Sequence, residues 1–215
     1  MTLLSTKPRE VDLIIIGAGA AGLSLLLALD AANYAGKVAL LERQQEPQSD
    51  RIWSFWQRAD SPKDSLPEYI KEILTHKWQS WSLSAGEKEY LMRDTLFEYC
   101  SLRSESLSAL ALERISAKEN FQIRFNYDVA EIIAKSSSVI VSTSEESLVA
   151  NQVVDNRPPA LQSQHEGLIQ CFYGEEIMCE ADIFEPSTVK LMHQLNHSDL
   201  GIEFIYILPF TTKHA

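Results

Sequence analysis

The turn between the first two apolar runs of the chain constrains its fold more than any other feature. Residues 11–16 form a continuous β-rich apolar run, and Gly17-Ala-Gly-Ala-Ala-Gly22 follows immediately. Residues 23–32 contain no helix breaker, and a second apolar run at 38–41 ends in Glu42. A strand that is apolar on both faces is typical of a central parallel sheet. The pattern therefore predicts one complete strand–helix–strand unit.

Each glycine of this turn has a separate role in holding a diphosphate. Gly17 permits the tight exit from the strand, Gly19 lets a pyrophosphate approach the backbone, and Gly22 allows close packing of helix and strand. The amides of Ala20 and Ala21 lie at the positive end of the helix, where anions bind. The unit is therefore predicted to bind the ADP part of a dinucleotide; a turn kept only for packing is the alternative.

The residues that follow the second run favour FAD as this dinucleotide. Glu42 stands 20 residues beyond Gly22, where a carboxylate accepts hydrogen bonds from ribose hydroxyls and repels the 2′-phosphate of NADP. The N-terminal position of the unit and the Glu42-Arg43 pair favour FAD over NAD. Arg51 and Trp53 are placed to cover the flavin nucleotide, although core packing explains Trp53 equally well.

Beyond the first unit, apolar periodicity predicts a loop, several helices and a series of strands. We expect a loop at 43–65, a helix at 66–77, one long helix or two at 95–116, and a short helix at 187–196. Strands are expected at residues 78–83, 89–92, 121–125, 129–133, 139–142, 148–155, 168–177 and 201–208.

The Arg-Pro-Pro run at 157–159 predicts a domain boundary. Residues 1–157 are expected to form an FAD-binding domain with an inserted helical segment at 60–120, and residues 158–215 a partial substrate-binding sheet. The predicted fold class is α/β, a Rossmann-like βαβ domain with a partial mixed or antiparallel second sheet.

Composition and charge narrow the range of partners and compartments. The formal net charge of −11 argues against nucleic acid, because an acidic surface repels phosphate backbones. The apolar segment at 23–29 is shorter than the roughly 20 residues that span a bilayer, and residues 1–10 lack a signal-peptide core. We therefore expect a cytoplasmic protein whose membrane contact, where there is any, is peripheral and through a local apolar patch.

The cysteines and histidines do not form a recognisable metal-binding pattern. Cys100, Cys171 and Cys179 lack CxxC spacing and are expected to be reduced thiols. His193 and His197 stand four residues apart, as zinc ligands on one helix face do. Because no third ligand stands at a suitable spacing, we expect a solvated helix face and no metal.

Motifs spread over nearly the whole chain carry a resemblance to one known family. In order they are Asp12-Leu-Ile-Ile-Ile-Gly-Ala-Gly19, Leu41-Glu42, Arg51-Ile-Trp-Ser-Phe-Trp56, Tyr90-Leu-Met-Arg93, Val153-Val-Asp-Asn-Arg157, Gln170-Cys-Phe-Tyr-Gly-Glu-Glu176 and Phe204-Ile-Tyr-Ile-Leu-Pro-Phe210. In this order the chain resembles the lycopene cyclases, which are carotenoid-forming flavoproteins. The first motif is shared by many flavoproteins, whereas the tryptophan-containing run at 51–56 and the last two motifs are more specific.

The resemblance implies an isomerisation on a flavoenzyme fold. Lycopene cyclases close a β-ionone ring at each end of linear lycopene with no net redox change, supported by reduced FAD that NAD(P)H keeps reduced. By the same resemblance Asp155 and Arg157 belong to an Asp-x-Arg turn at the cofactor. Glu176 matches the motif glutamate and is implied as proton donor or cation stabiliser, with Glu175 as the runner-up.

The chemistry of ring closure sets a requirement on these carboxylates. An alkene is a very weak base, so its acid must be neutral, and burial in an apolar pocket raises a carboxyl pKa. A solvated strand end is the alternative for such an adjacent acidic pair. Whether one or both ends of lycopene are cyclised, and whether β- or ε-rings form, stays open.

The chain also departs from the family pattern. Family members are longer and continue beyond the Leu-Pro-Phe strand, and Pro158 stands where relatives often have glycine. The expectation is a C-terminally truncated chain that binds FAD weakly and does not cyclise lycopene by itself. Two other functions stay open: a redox flavoenzyme such as a monooxygenase or reductase, and a non-catalytic dinucleotide-binding remnant.

Overall fold

The structure is a computed structural model that describes residues 9–59, 66–158, 169–199 and 201–215. Its elements, in chain order, are β1 (Arg9–Ile16), α1 (Ala20–Ala31), β2 (Val38–Leu41), β3 (Ile52–Arg58), α2 (Glu68–Lys71), β4 (His76–Trp78), β5 (Ser80–Ala85), β6 (Lys88–Arg93), β7 (Phe97–Arg103), α3 (Ser104–Ser116), β8 (Phe121–Arg124), β9 (Val129–Ala134), β10 (Val139–Thr143), β11 (Ser147–Asp155), β12 (Thr188–Ser198) and β13 (Gly201–Ile207).

The described residues divide into two compact units. The first comprises those within 1–51 and 103–163, and the second those within 52–102 and 164–215. The sequence placed a boundary between 157 and 158 and an insertion at 60–120, so the units are divided differently along the chain. The functions that the sequence assigned to the two predicted domains stay predictions.

A six-stranded sheet in the order β8-β2-β1-β11-β10-β9 forms the centre of the first unit. The strands from β8 to β11 are parallel, and β10 and β9 run antiparallel to their neighbours. In the register, Ile16 lies opposite both Leu41 and Asp155, so three neighbouring strands end at the same edge. The side chains of Ile14 and Leu148 are fully buried in the core of this sheet.

Helices α1 and α3 pack together in the first unit around one buried charge. The Asp30 side chain is only 3% exposed, and its two oxygens lie 2.8 Å from Arg114 Nε and 2.8 Å from Lys118 Nζ. The hydrogen bond from Lys118 and the contact with Arg114 lower the pKa of Asp30 below its ordinary value, against the effect of burial. This ion pair therefore joins α1 to α3 most strongly when the carboxyl is ionised.

The second unit contains a four-stranded sheet, β13-β12-β5-β6, and a three-stranded sheet, β3-β7-β4. Its core includes the buried side chains of Trp78, Val189 and Leu191. The indole Nε1 of Trp78 donates to the Pro186 carbonyl at 3.1 Å, which satisfies the polar atom of this buried ring. The core of this unit therefore combines aromatic and aliphatic side chains.

Seven predicted strands, and with them the mixed α/β class, are confirmed to within a few residues. They are those expected at 78–83, 89–92, 121–125, 129–133, 139–142, 148–155 and 201–208. Most of these runs alternate apolar and polar residues or are continuously apolar, so their local pattern matches the strand period.

Other predicted elements are wrong where pairing with distant strands decides the structure. The predicted loop at 43–65 contains β3, the helix at 66–77 is reduced to the one turn of α2, and the first part of 95–116 is β7. The helix expected at 187–196 is β12, and residues 169–177 form no strand, while residue 168 lies outside the described part. Within the described residues, the segment expected to be a helical insertion therefore contains four strands besides α2 and α3.

None of the helices within the described residues is both long and apolar enough to cross a bilayer.

Replacing Asp30 with asparagine should lower the free energy of unfolding by about 2 kcal/mol at pH 7, because two cations lose their buried partner. A lowered pKa in the folded state means that this contribution is present above the unfolded-state pKa, about 3.9, and is lost as the pH falls. The difference between D30N and wild type should therefore shrink between pH 5 and pH 3.

Urea unfolding across the range from pH 7 to about pH 3 measures this difference, and Asp199→Asn on an exposed turn residue is the matched control. A loss of stability that is the same at every pH would contradict the role assigned to the Asp30 charge.

Candidate functional site

The glycine turn joins β1 to α1 at the edge where three parallel strands end. Gly17 has φ +96°, a left-handed conformation that favours glycine. A Cβ atom on Gly22 would lie 1.9 Å from the Gly17 carbonyl oxygen, whereas one on Gly19 would meet no atom within 4 Å. Gly22 is therefore required by packing, and Gly19 leaves an open space in front of the helix.

The first turn of α1 presents backbone amides to this open space. Its first hydrogen bond runs from the Leu23 N–H to the Gly19 carbonyl at 3.0 Å, and Gly19 provides no side-chain cap. The amides of Ala20, Ala21 and Gly22 precede that bond and have no acceptor within the helix. Together with the helix dipole, they form a cradle suited to an anion.

Glu42, directly after the neighbouring strand β2, supports the glycine turn. Its carboxylate is buried, with Oε2 accepting a hydrogen bond from the Ala18 N–H at 2.7 Å and Oε1 accepting one from the Gln44 N–H at 2.9 Å. A carboxylate has about four acceptor positions, so these two bonds leave capacity for ribose hydroxyls. The ribose contact of Glu42 stays a prediction.

Asn156 is a residue of this site that the sequence analysis missed. Its N–H donates to the Ile16 carbonyl at 3.0 Å, and its side-chain Nδ2 lies 3.5 Å from the position of a Cβ on Gly22. This Nδ2 is buried and has no hydrogen-bond partner among the described residues. Orphaned buried donors are rare, and a ligand or water commonly satisfies them.

Asn156 could have been predicted as a site residue, because it directly follows a predicted parallel strand. Strand β11 lies beside β1, and ligands of parallel sheets bind at the carboxyl ends of such neighbours. The open space at Gly19, the three amides and the orphaned amide nitrogen all fit a dinucleotide diphosphate at this edge.

Asp155 and Arg157 form a bidentate ion pair at the end of β11, and Arg157 also connects this end to β9. Arg157 Nε and Nη2 lie 3.0 and 2.8 Å from the two Asp155 oxygens, and Nη1 donates to the Val129 carbonyl at 2.8 Å. These hydrogen bonds lower the pKa of Asp155 and raise that of Arg157. The pair makes these contacts within the protein, and its predicted cofactor role stays a prediction.

The remaining predicted cofactor residues lie at the surface or contribute through their backbone. Arg43 is exposed, and so is the Arg51 side chain, whose Nε lies 3.5 Å from Asp50. The backbone of Arg51 exchanges two hydrogen bonds with Ser104 at the start of α3. Their predicted contacts with the flavin nucleotide are not tested by this geometry.

Glu175 and Glu176 lie in an extended segment of the second unit. Glu175 Oε1 accepts a hydrogen bond from the Tyr173 hydroxyl at 2.8 Å, and Glu176 Oε1 lies 2.5 Å from His214 Nε2. Both glutamates are exposed, so neither is the buried carboxyl that the chemistry of ring closure requires. Their catalytic role stays a prediction, and His214 is a contact that sequence reasoning missed.

The two histidines considered as zinc ligands lie on a strand, which corrects the predicted helix. Both His193 and His197 belong to β12, where His193 Nδ1 lies 2.8 Å from the hydroxyl oxygen of Ser84. Among the residues that the structure describes, no three His, Cys, Asp or Glu side chains are grouped as a metal site.

Comparison with known proteins gives a match over most of the chain. The family model described as lycopene cyclase protein matches residues 12–215. A lycopene beta-cyclase from Paracoccus sp. is 27% identical over 201 residues, which are 93% of this chain and 48% of that protein. The chain therefore spans about half the length of this curated relative.

Solved flavoenzyme structures share the fold over 68% of the chain. The p-nitrophenol 4-monooxygenase PnpA from Pseudomonas putida gives a TM-score of 0.53 at 19% identity, over 41% of its own length. The flavin-dependent monooxygenase PieE, in complex with FAD and substrate, gives 0.52 at 14% identity over 30%. The halogenase PltM, in complex with phloroglucinol and FAD, gives 0.50 at 20% identity over 34%. At these identities the likeness concerns the fold alone.

Two glycine substitutions should distinguish the tight packing at Gly22 from the open space at Gly19. Gly22→Ala should lower the free energy of unfolding by about 3 kcal/mol, since its methyl would overlap the Gly17 carbonyl. Gly19→Ala should change it by less than about 1 kcal/mol, because the space is open and the backbone is extended. Urea unfolding measures both, and equal effects of the two substitutions would contradict the packing described here.

Proposed function

The chain belongs to the lycopene cyclase family, and from that premise we propose that it is a flavoprotein of the lycopene β-cyclase type. The proposed reaction converts linear lycopene to β-ring carotenoids without net redox change, as a step of carotenoid biosynthesis. The observation that carries the proposal is the diphosphate cradle at Gly19, within a chain whose family match covers residues 12–215. The activity of the whole protein is part of the proposal, because the chain covers 48% of its curated relative.

FAD is the proposed cofactor of the cradle in the first unit. The amides of Ala20, Ala21 and Gly22 would hold its diphosphate, and Glu42 would accept hydrogen bonds from the adenosine ribose. Asn156 Nδ2, buried and unpartnered in the described residues, is an additional donor at the same place. When bound in its reduced form, with NAD(P)H as the reductant, FAD supplies negative charge that stabilises a carbocation.

An exposed apolar surface of the second unit, which includes Phe172 four residues before Glu176, supports a polyene as the substrate class. In the second unit, Phe172 stacks on Tyr206 of β13 with ring centroids 6.0 Å apart, and Phe204 lies 5.3 Å from the same ring. Ile205 on β13 is half exposed. Aromatic and aliphatic surface in the unit that contains the acidic pair suits a long hydrocarbon whose end reacts with an acid.

The carboxylates of Glu176 and Glu175 are the proposed reacting groups of the chain. Ring closure needs a proton delivered to a terminal double bond and a negative neighbour for the cation that results. A substrate lying across the apolar surface would also exclude water from the carboxylates. The contact with a membrane, from which such a substrate would enter, is proposed to be peripheral.

A redox flavoenzyme is the function that competes with the proposed cyclase, because the fold is similar to that of monooxygenases. A redox flavoenzyme would consume oxygen with NAD(P)H and change the oxidation state of its substrate. The proposed cyclase would give a product isomeric with lycopene and no stoichiometric oxygen uptake. Mass spectrometry of the product and an oxygen electrode therefore distinguish the two.

FAD binding to the chain tests the cofactor proposal. Gly19→Ala should raise the Kd for FAD at least about tenfold, because the methyl occupies the space that the diphosphate needs. Gly174→Ala is the matched control, since a Cβ there also meets no atom within 4 Å and Gly174 belongs to the second unit. Titration followed by flavin fluorescence measures both, and equal Kd values for G19A and wild type would contradict the cradle.

Cyclisation is tested in bacteria that accumulate lycopene. The chain should be expressed alone and together with the part of the Paracoccus relative that it does not match. We expect β-ring carotenoids in the combined cells, and a loss of about a hundredfold for Glu176→Gln, which removes the charge at similar size. Chromatography of extracted carotenoids measures the products. Absence of ring products in combined cells whose chain binds FAD would contradict the proposed reaction.

A further inference from the structure

A short hydrogen bond joins Glu176 to a histidine that no motif of the sequence singles out. Glu176 Oε1 and His214 Nε2 lie 2.5 Å apart, and the side chains are 43% and 21% exposed. A contact between a carboxyl oxygen and a ring nitrogen at this distance contains one proton. In the Nε2–H tautomer of His214, the ring nitrogen is the donor and the Glu176 carboxylate is the acceptor.

The backbone around His214 fixes this residue beside the acidic pair. The Ile177 N–H donates to the Ala215 carbonyl at 2.8 Å, and the Ala215 N–H donates back at 3.2 Å. One step further, the Cys179 N–H donates to the Lys213 carbonyl at 2.8 Å. These antiparallel hydrogen bonds place His214 opposite the segment that follows Glu176.

The His214 ring is also held from the side by the aromatic core of the second unit. Its centroid lies 5.2 Å from that of Phe210, whose N–H donates to the His214 carbonyl at 2.8 Å. Phe210 in turn lies 6.0 Å from the buried ring of Trp78 and 6.3 Å from His76. A ring held by backbone pairing and by a core aromatic has few orientations available.

We infer that His214 is a positioning residue that donates from Nε2 to Glu176 and holds it as an oriented carboxylate. The role of this pairing in a reaction rests on the proposed function. Within the proposed cyclisation, an oriented carboxylate at Glu176 is the form that stabilises the developing cation. His214 acts through Glu176 and needs no contact with the substrate.

The ring nitrogens of His214 test the pairing directly in the chain. Long-range ¹H–¹⁵N spectra at about pH 8.5, where a free imidazole is neutral, distinguish the two tautomers. We expect His214 as the Nε2–H tautomer in wild type and as a mixture in Glu176→Ala. His197, exposed on β12, is the matched control, and an unchanged spectrum of His76 shows that the core stays folded. A mixed tautomer in wild type, or no change in E176A, overturns the inference.

The cyclisation assay tests what the pairing does. His214→Ala should lower the yield of β-ring carotenoid about tenfold, and His214→Gln should restore most of it, because its amide is also a donor to Glu176. Equal yields for wild type and H214A overturn the positioning role. If the tautomer signature is present and no ring product forms from any variant, the pairing stands and the proposed reaction fails. The two failures are therefore distinguishable.

Discussion

The close approach of helix α1 to strand β1 determines where a ligand can bind in the first unit. At Gly22 the two backbones leave no room for a side chain, since a Cβ would lie 1.9 Å from the Gly17 carbonyl. This contact brings the first amides of α1 to the carboxyl edge of the sheet, where Glu42 braces the turn through the Ala18 N–H. Without it the helix would start further from the sheet, and its amides would not converge with the ends of β2 and β11.

The second unit is constrained differently, because its proposed reacting groups, Glu175 and Glu176, lie on a segment outside the strands. Here the order comes from hydrogen bonds between 177–179 and 213–215 and from the aromatic rings around Trp78. Glu176 is oriented by a partner side chain, His214, and not by burial in an apolar pocket. Within the proposed function, such an oriented carboxylate would stabilise a cation.

The strand–helix–strand segment at 11–42 was predictable from sequence because the features that determine it are local. A continuous apolar run, three glycines and an acid at the end of the next run each have one straightforward structural reason. By contrast, the local sequence of β12 predicts a helix. The segment is a strand because Thr188 and Val189 pair in parallel with β5, at residues 80 and 81, more than a hundred residues earlier. Sequence periodicity has no access to such a pairing.

The same distinction holds for the site. Glycines and Glu42 were recognised from their spacing, whereas Asn156 and His214 acquire their positions only through the sheet order and the pairing of distant segments. Asp155 and Arg157 were expected at the cofactor and are observed in contact with each other and with Val129. Motif spacing can name such residues, but it does not determine which partner each side chain finds in the folded chain.

Backbone amide NMR of the chain during titration with FAD tests the central claim most directly. The account predicts that the largest shifts occur at the amides of Ala20, Ala21 and Gly22 and at the side-chain amide of Asn156, whereas Gly86 and Gly174 stay unchanged. Shifts confined to residues outside the glycine turn, or none at FAD concentrations that saturate binding, would contradict it.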